Sequence, residues 1–458
     1  MSQTSQSTRE GAPDPAALLD LARALRDAAL KAGADHAEAT LSESRSLEAS
    51  VRDGALESLE RSENREAGLR VFIGQRQAGV SFSDLSDAGQ ALAIQRAIAM
   101  ARIAPEDPYC GLVERDALAR RLPEIATYEA AGLDEAGLEA AALELEAAAR
   151  AVKGVATVSS AGASLGSGAS AAAASNGFEI ARRGSRYGRG VAAIAKQGDV
   201  MERDYDSHSA RRLIDLKSPG VIGASAGERA VARLGSGKIA SGKRAVVFDR
   251  RASGVFVSSL LGAISGPAIA RGTSFLRDRL GERVFAEGIN IIEDPLRDWS
   301  FGARAADGEG VACRPRALVE DGVVTTWLMN SASARQLGMA LTGHASRSLG
   351  GPPGVSAANV HLAPGEASLD DLIAEAGDGL LVTEMFGPSL NANTGDWSVG
   401  VAGFAIEGGR RARPVSEVTV ASNLVDIFAR LIPGSDLEFE GSVNAPSVLV
   451  EGLSIGGR

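Results

Sequence analysis

Few side chains in this chain are of the kind that break bonds, and their spacing narrows the chemistry further. The four histidines, His36, His208, His344 and His361, are scattered. None falls in HExxH or in any other spacing that sets two imidazoles on one helix face, so no zinc site is legible. His361, between Val360 and Leu362, reads as a half-buried strand residue. His344, in Thr342-Gly343-His344-Ala345, sits in a glycine-flanked loop where an imidazole is free to act. Two GxSxG stretches, Gly162 to Gly166 around Ser164 and Gly223 to Gly227 around Ser225, lack a clear strand-to-helix elbow, and nothing places His344 or His361 beside either serine as a base. In a chain with 54 glycines such matches arise by accident. Gly237 to Lys243, GKIASGK, resembles a phosphate loop, but Arg244 stands where Ser or Thr would ligate magnesium. The segment also follows a helix and opens a strand, the reverse of what a phosphate loop needs.

These residues must be positioned by elements that the periodicity makes readable. Asp14 is an N-cap with Pro15 at the first helical position, and Leu18, Leu21, Ala22, Leu25 and Ala28 keep a helical face until Gly33 stops it. Short alternating segments follow, at Ala37 to Leu41, Leu47 to Val51, Leu69 to Ile73 and Gly79 to Phe82, punctuated by Asp53-Gly54 and Gly74, and these predict antiparallel hairpins. A second helix begins near Asp87 and ends before Pro105. The same order then recurs: a helix from Asp134 to about Val152, strands to about residue 206, and a helix from Pro219 to Leu234. The Ala/Ser/Gly-rich stretch at 160–177 is predicted as small-residue strands rather than a linker. From Lys243 the texture changes to short strands, glycine turns and brief helices. The predicted organisation is α+β: a disordered tail at 1–12, an N-terminal α+β domain at 13–122, a middle α+β segment at 123–240 and a β-rich C-terminal domain at 241–458.

Bulk properties bound the function. A chain of 458 residues with 45% hydrophobic residues can bury a large core. Its formal net charge of -10 opposes nucleic-acid binding. The short clusters Arg182, Arg183, Arg186, Arg189 and Arg410, Arg411, Arg413 come with too few aromatics, 4% of the chain, to form a stacking platform. Cys110 and Cys313 are far apart in sequence, which suits a reducing cytosol and excludes a disulfide framework. The polar N-terminus has no signal-peptide pattern and no run of eighteen apolar residues follows. A cytoplasmic, unanchored protein is expected, with no nucleic acid and no membrane as partner.

Five stretches, taken in order, carry a resemblance. Asp53-Gly54-Ala55-Leu56-Glu57 with Gly68-Leu69-Arg70-Val71-Phe72-Ile73-Gly74 is similar to the N-terminal hairpin signature of the TldD/PmbA family. Gly262-Ala263-Ile264-Ser265-Gly266, Trp327-Leu328 with Ser331 to Gly338, Thr342-Gly343-His344-Ala345 and Thr394-Gly395-Asp396-Trp397-Ser398 resemble its TldE/PmbA branch. The TldD-like branch carries an HExxxH helix whose histidines bind zinc and whose glutamate activates water. Placed by Gly272-Thr273-Ser274, those positions fall here on Val257, Ser258 and Gly262, none of which can do the corresponding job. The cysteine ligand expected near the C-terminus of the TldD-like branch is also missing, since Asn444-Ala445-Pro446-Ser447 stands in that neighbourhood.

The resemblance implies a strand-rich, barrel-like C-terminal domain and a zinc-less subunit with no cofactor of its own. Such a subunit would pair with a TldD-like metallopeptidase that carries the zinc, and would help enclose a chamber for unfolded or small peptides. Gly343, His344, Thr394, Gly395 and Asp396 are then candidates for the partner or chamber face, against the plainer reading that the glycines serve tight turns and Asp396 caps a backbone. Two other classes stay open. One is a homodimeric peptide-binding or regulatory protein without protease activity, including a role toward DNA gyrase through protein contact. The other is a hydrolase with an unrecognised site.

Overall fold

The computed structural model describes residues 12–130 and 132–457, so the tail expected at 1–12 lies, but for its last position, outside the described residues. The first half runs α1 (Pro15–Lys31), β1 (His36–Arg52), β2 (Ala55–Ile73), β3 (Arg76–Phe82), α2 (Asp87–Ile103), α3 (Glu135–Ala151), β4 (Val155–Ala174), β5 (Glu179–Gln197), β6 (Val200–Ala210) and α4 (Pro219–Ala232). Each of these four helices starts on a capping side chain, as expected at Asp14. The side chains of Asp14, Ser86, Asp134 and Ser218 accept from the backbone N–H of Ala16, Gly89, Gly137 and Val221, satisfying donors that the first turn leaves free.

The strands form one antiparallel sheet in the order β3-β2-β1-β4-β5-β6. The recurring order of elements thus becomes a symmetric sheet about the β1/β4 seam. Alternate residues face four helices on one side. Ala37, Ala39, Leu41, Ala67, Leu69, Val71, Ala169, Ala171 and Ala173 pack under α1 and α2, while Leu47, Ala49, Val51, Ala161, Ala163, Val191 and Ala193 pack under α3 and α4. The strands are far longer than the short segments expected from alternation. Residues 57 and 59–66 of β2, for instance, are exposed on both faces while pairing with β1. With no buried face there is no alternation to read, so the strand is silent in the sequence. The β1–β2 turn does follow the expected chemistry. Asp53 and Gly54 both take positive φ, 54° and 76°, as a two-residue hairpin requires, and the buried Glu146 carboxylate accepts from both of their N–H groups at 2.8 and 2.9 Å.

The second half runs β7 (Gly242–Phe248), α5 (Arg250–Ala263), α6 (Gly266–Ala270), β8 (Ile291–Glu293), β9 (Arg316–Glu320), β10 (Val323–Val324), α7 (Ser331–Leu337), β11 (Ala345–Ser346), β12 (Gly354–Val355) and β13 (Val360–Leu362). It continues with α8 (Leu369–Ala376), β14 (Gly379–Leu390), β15 (Asp396–Glu407), β16 (Arg410–Asn423), α9 (Leu424–Arg430), β17 (Ile432–Pro433), β18 (Val443–Asn444) and β19 (Val448–Gly456). β16, β15, β14, β7 and β19 lie side by side, and the pairing of β16 with β19 closes them into a five-stranded barrel. The α+β class with a strand-rich, barrel-like C-terminal region is therefore the fold observed. A core of Phe248, Phe256 and Trp397, with ring centroids 4.9 to 6.3 Å apart, fixes α5 against the barrel. No described helix is long and apolar enough to cross a membrane.

The two halves meet on the sheet face away from the helices. The segment at 348–351 lies so close to β2 and β3 that a Cβ on Gly68 would stand 1.3 Å from the Leu349 carbonyl oxygen, and one on Gly79 2.0 Å from that of Gly350. Glu38, on the same face, joins Arg70 at 2.6 Å and Arg347 at 2.8 Å, all three nearly buried. Arg251 of α5 pairs with Asp204 of β6 at 3.1 Å.

Candidate functional site

The degenerate helix is α5. Phe256, Val257 and Leu260 point into the barrel core, whereas Ser258 and Gly262 are exposed. Positions five apart on an α-helix differ by about 140° in direction, and here one is packed in hydrocarbon and the other has open space around it. The residues present do not fit zinc: valine and glycine side chains offer no lone pair, and Ser258 has no base hydrogen-bonded to it among the described residues. Among the described residues no group of three or more His, Cys, Asp or Glu is placed to hold a metal ion. The segment standing where the resemblance implies a cysteine does lie beside this helix. Ser447 accepts from Arg250 N at 3.1 Å and donates to Asp436 Oδ2 at 2.7 Å, and it is fully buried.

His344 is not the exposed loop residue its flanking glycine suggested. It is 1% exposed, with Nδ1 2.7 Å from Thr342 Oγ1 and Nε2 2.8 Å from Glu293 Oε2. The other oxygen of Glu293 accepts from Ala358 N. The imidazole thus stitches its loop to β8, and its partner is 51 residues away in sequence. Gly343 is required at its position, since its φ is 77° and a Cβ would stand 2.7 Å from the Ala312 carbonyl oxygen.

Thr394 and Asp396 are exposed, and Gly395, with φ 81°, is buried against Phe275 and Asn423. Thr394 Oγ1 donates to Asp396 Oδ2 at 2.7 Å and Asn423 Nδ2 to Asp396 Oδ1 at 3.1 Å, which holds the Asp396 carboxyl below the usual range. This turn adjoins the C-terminal end of α5: Phe275 N donates to Ala392 O, and Ser274 Oγ to Ala263 O. Ser258, Gly262, Thr394 and Asp396 are therefore all exposed in the barrel domain, and His344 is not.

A further opening was not anticipated. A cleft of about 930 Å³ runs along the helix-free face of the sheet, between the strands and the 122–128 and 303–305 segments. A deeper arm of about 370 Å³ reaches under the 345–349 loop, and Ser42, Ser170, Ile180, Arg182 and Arg304 line both. Its floor is made of small residues, Gly168 and Ser170 of β4 and Gly184 of β5, so the backbone lies close to the surface. Asp307 walls the deeper arm; burial raises its carboxyl pKa even though Ala345, Val311 and Glu309 all donate backbone N–H to it. Nearby, the Cys313 thiol donates to Gly343 O at 3.1 Å and is pushed up to about 11, chiefly by burial. The one signal that could have found the cleft is the alternation of β5, which sets Arg182 on the same face as Gly184 and Gly188.

Residues 241–457 match the PmbA/TldA metallopeptidase C-terminal domain, residues 37–101 its domain 1 and residues 128–234 its central domain. Metalloprotease PmbA of Escherichia coli O157:H7 is 32% identical over 93% of each chain. The chain belongs to the TldD/PmbA family. Within this family, the Haemophilus influenzae metalloprotease PmbA homolog is also 32% identical, over 94% of each chain. A solved structure from Bacteroides thetaiotaomicron, described as a candidate modulator of DNA gyrase, superposes with a TM-score of 0.86 at 28% identity, covering 96% of this chain and 98% of that one. TldE from Thermococcus kodakarensis has the same fold, with a TM-score of 0.85 at 21% identity over 95% of this chain and all of that one.

Proposed function

We propose that this TldD/PmbA-family chain is the zinc-less subunit of a cytosolic peptide-processing metallopeptidase, completed by a TldD-like subunit that carries the metal. The observation that supports this reading is the fate of the motif helix. α5 is intact, capped by Asp249 and packed in the barrel, yet its three motif positions hold Val257 in the core and Ser258 and Gly262 toward solvent. A fold kept whole around a site without ligands points to work done on another chain's chemistry. The cleft along the sheet gives an extended peptide a floor of small residues, which leaves room for a chain to lie flat across the strands. In this reading Ser258, Gly262, Thr394 and Asp396 face the partner or the chamber, and His344 supports the fold behind them.

The test is zinc content and cleavage of an unfolded peptide, for the purified chain alone and after mixing with a TldD-like subunit from the same source. The expected result is a metal-free, inactive chain that associates with the partner and cleaves in the mixture. Stoichiometric zinc or cleavage by the isolated chain would overturn the reading.

A further inference from the structure

Two arginines line the deeper arm of the cleft without an ion-pair partner among the described residues. Arg182 projects from β5 and spends a single hydrogen bond on the Ala306 carbonyl at 2.5 Å. Arg304 turns both Nη atoms to Ser356, and its buried Nε has no partner. Neither forms an ion pair with a carboxylate among the described residues, whereas Arg347, the third arginine here, shares Glu38 with Arg70, at 2.8 and 2.6 Å. Half-buried guanidinium groups with one carboxylate, Asp307, beside two cations are left short of counter-charge, which a bound anion would supply. Burial, followed by the charge of Arg304, lowers the Arg182 pKa, the direction expected where cations converge and an anion is wanted.

We infer that Arg182 and Arg304 bind the carboxylate of a peptide lying along the sheet face. This rests on the peptide-handling function proposed above and names the ligand group that the cleft reads. The peptide function on which this rests favours a carboxylate over a phosphate, since a peptide's own anionic groups are carboxylates. A planar guanidinium meets a planar carboxylate with two parallel hydrogen bonds. The volume also fits, since about 370 Å³ accommodates one or two terminal residues while the 930 Å³ outer cleft takes the rest of the segment.

The experiment uses the full chain and a fluorescent ten-residue peptide of Ala, Gly and Ser, followed by polarisation. Three forms are compared: the free C-terminal acid, the C-terminal amide, and the amide with one internal Glu. The acid is expected to bind about ten- to a hundred-fold more tightly than the plain amide, the worth of a charge-assisted pair. In the R182Q chain the acid should fall to the level of the amide, with R182K recovering part of the difference. If the Glu-bearing amide equals the acid, the carboxylate is a side chain rather than a terminus, and the site stands. Equal affinity of acid and amide for the unaltered chain, or no binding of either, overturns the site without recourse to any variant. Association with the TldD-like subunit is scored separately by size-exclusion chromatography. Intact association with no carboxylate preference removes only this inference, and failed association removes the function on which it rests.

Discussion

Replacing Glu38 by glutamine keeps the side-chain shape and deletes the charge on which two arginines converge. In the native chain Glu38 is 4% exposed, Arg70 6% and Arg347 10%. The substitution leaves two desolvated guanidiniums facing each other across a neutral amide, a change of the class that costs about 3–5 kcal/mol. The lower end applies here. Arg70 keeps Gln77 Oε1 at 3.2 Å and Arg347 keeps the Gly308 carbonyl at 2.7 Å, so neither cation loses every acceptor. Urea unfolding followed by circular dichroism should show a loss of about 3 kcal/mol, and amide exchange should quicken most at residues 345–351, which Arg347 ties to the sheet. Adding R347M should restore part of the stability, because it removes one of the stranded charges. The pH dependence has a definite sign. Burial pushes the Glu38 pKa up, but Arg347 and Arg70 outweigh it and hold the carboxyl below its ordinary range. The folded value therefore lies below the unfolded one, near about 4.3. The contribution is fully present above the unfolded value and is lost as pH falls through the folded one. The gap between the native chain and E38Q should be constant from pH 6 to 8 and narrow on acidification. A loss below about 1 kcal/mol, the range of an exposed pair, or a gap that widens in acid, would refute the reasoning.

Other perturbations have equally direct readouts. Gly68→Ala forces a Cβ into the Leu349 carbonyl; the backbone must part, and a stability loss of about 1–3 kcal/mol or more is expected in the same unfolding assay, with no change meaning that the two halves do not touch there. Cys313, with its thiol pushed up to about 11, should resist a disulfide reagent at pH 8 until the protein is denatured, while half-buried Cys110 reacts first; equal rates would contradict the packing around Gly343. His344→Ala should cost about 2–4 kcal/mol, by leaving Glu293 buried without its partner and opening a void, and should show in the melting temperature; unchanged stability with weakened partner association would return His344 to the chamber face.

What was legible in the sequence divides along physical lines. Helix starts are local events, so Asp14 with Pro15 and the start at Asp134 were readable. Long strands were not, because residues 59–66 of β2 are exposed on both faces and carry no alternation. The substituted motif at Val257, Ser258 and Gly262 was readable only through the family resemblance; its split between core and solvent needed coordinates. His344 was misplaced because its partner Glu293 comes from another strand, and a glycine beside a histidine does not distinguish an open loop from a tight packed one. Arg182 and Arg304 share a cavity only because β5 and the segment after β8 are brought together by the meeting of the two halves, a relation that no spacing encodes.

The seam at the middle of the sheet has a consequence for synthesis. β1 pairs with β4 from Glu38 with Ala174 to Val51 with Ala161, so one edge of β1 waits for more than a hundred residues to be made before it is covered. A chain emerging from the ribosome as far as α2 would present that edge, a row of free amides and carbonyls backed by alanines, to any other nascent strand. Closing it is a long-range pairing and correspondingly slow. A fragment cut between the two recurring units should therefore aggregate or pair with its own copies rather than fold alone, and a chaperone that shields β1 until β4 arrives should raise the yield of the whole chain more than any stabilisation of the finished barrel.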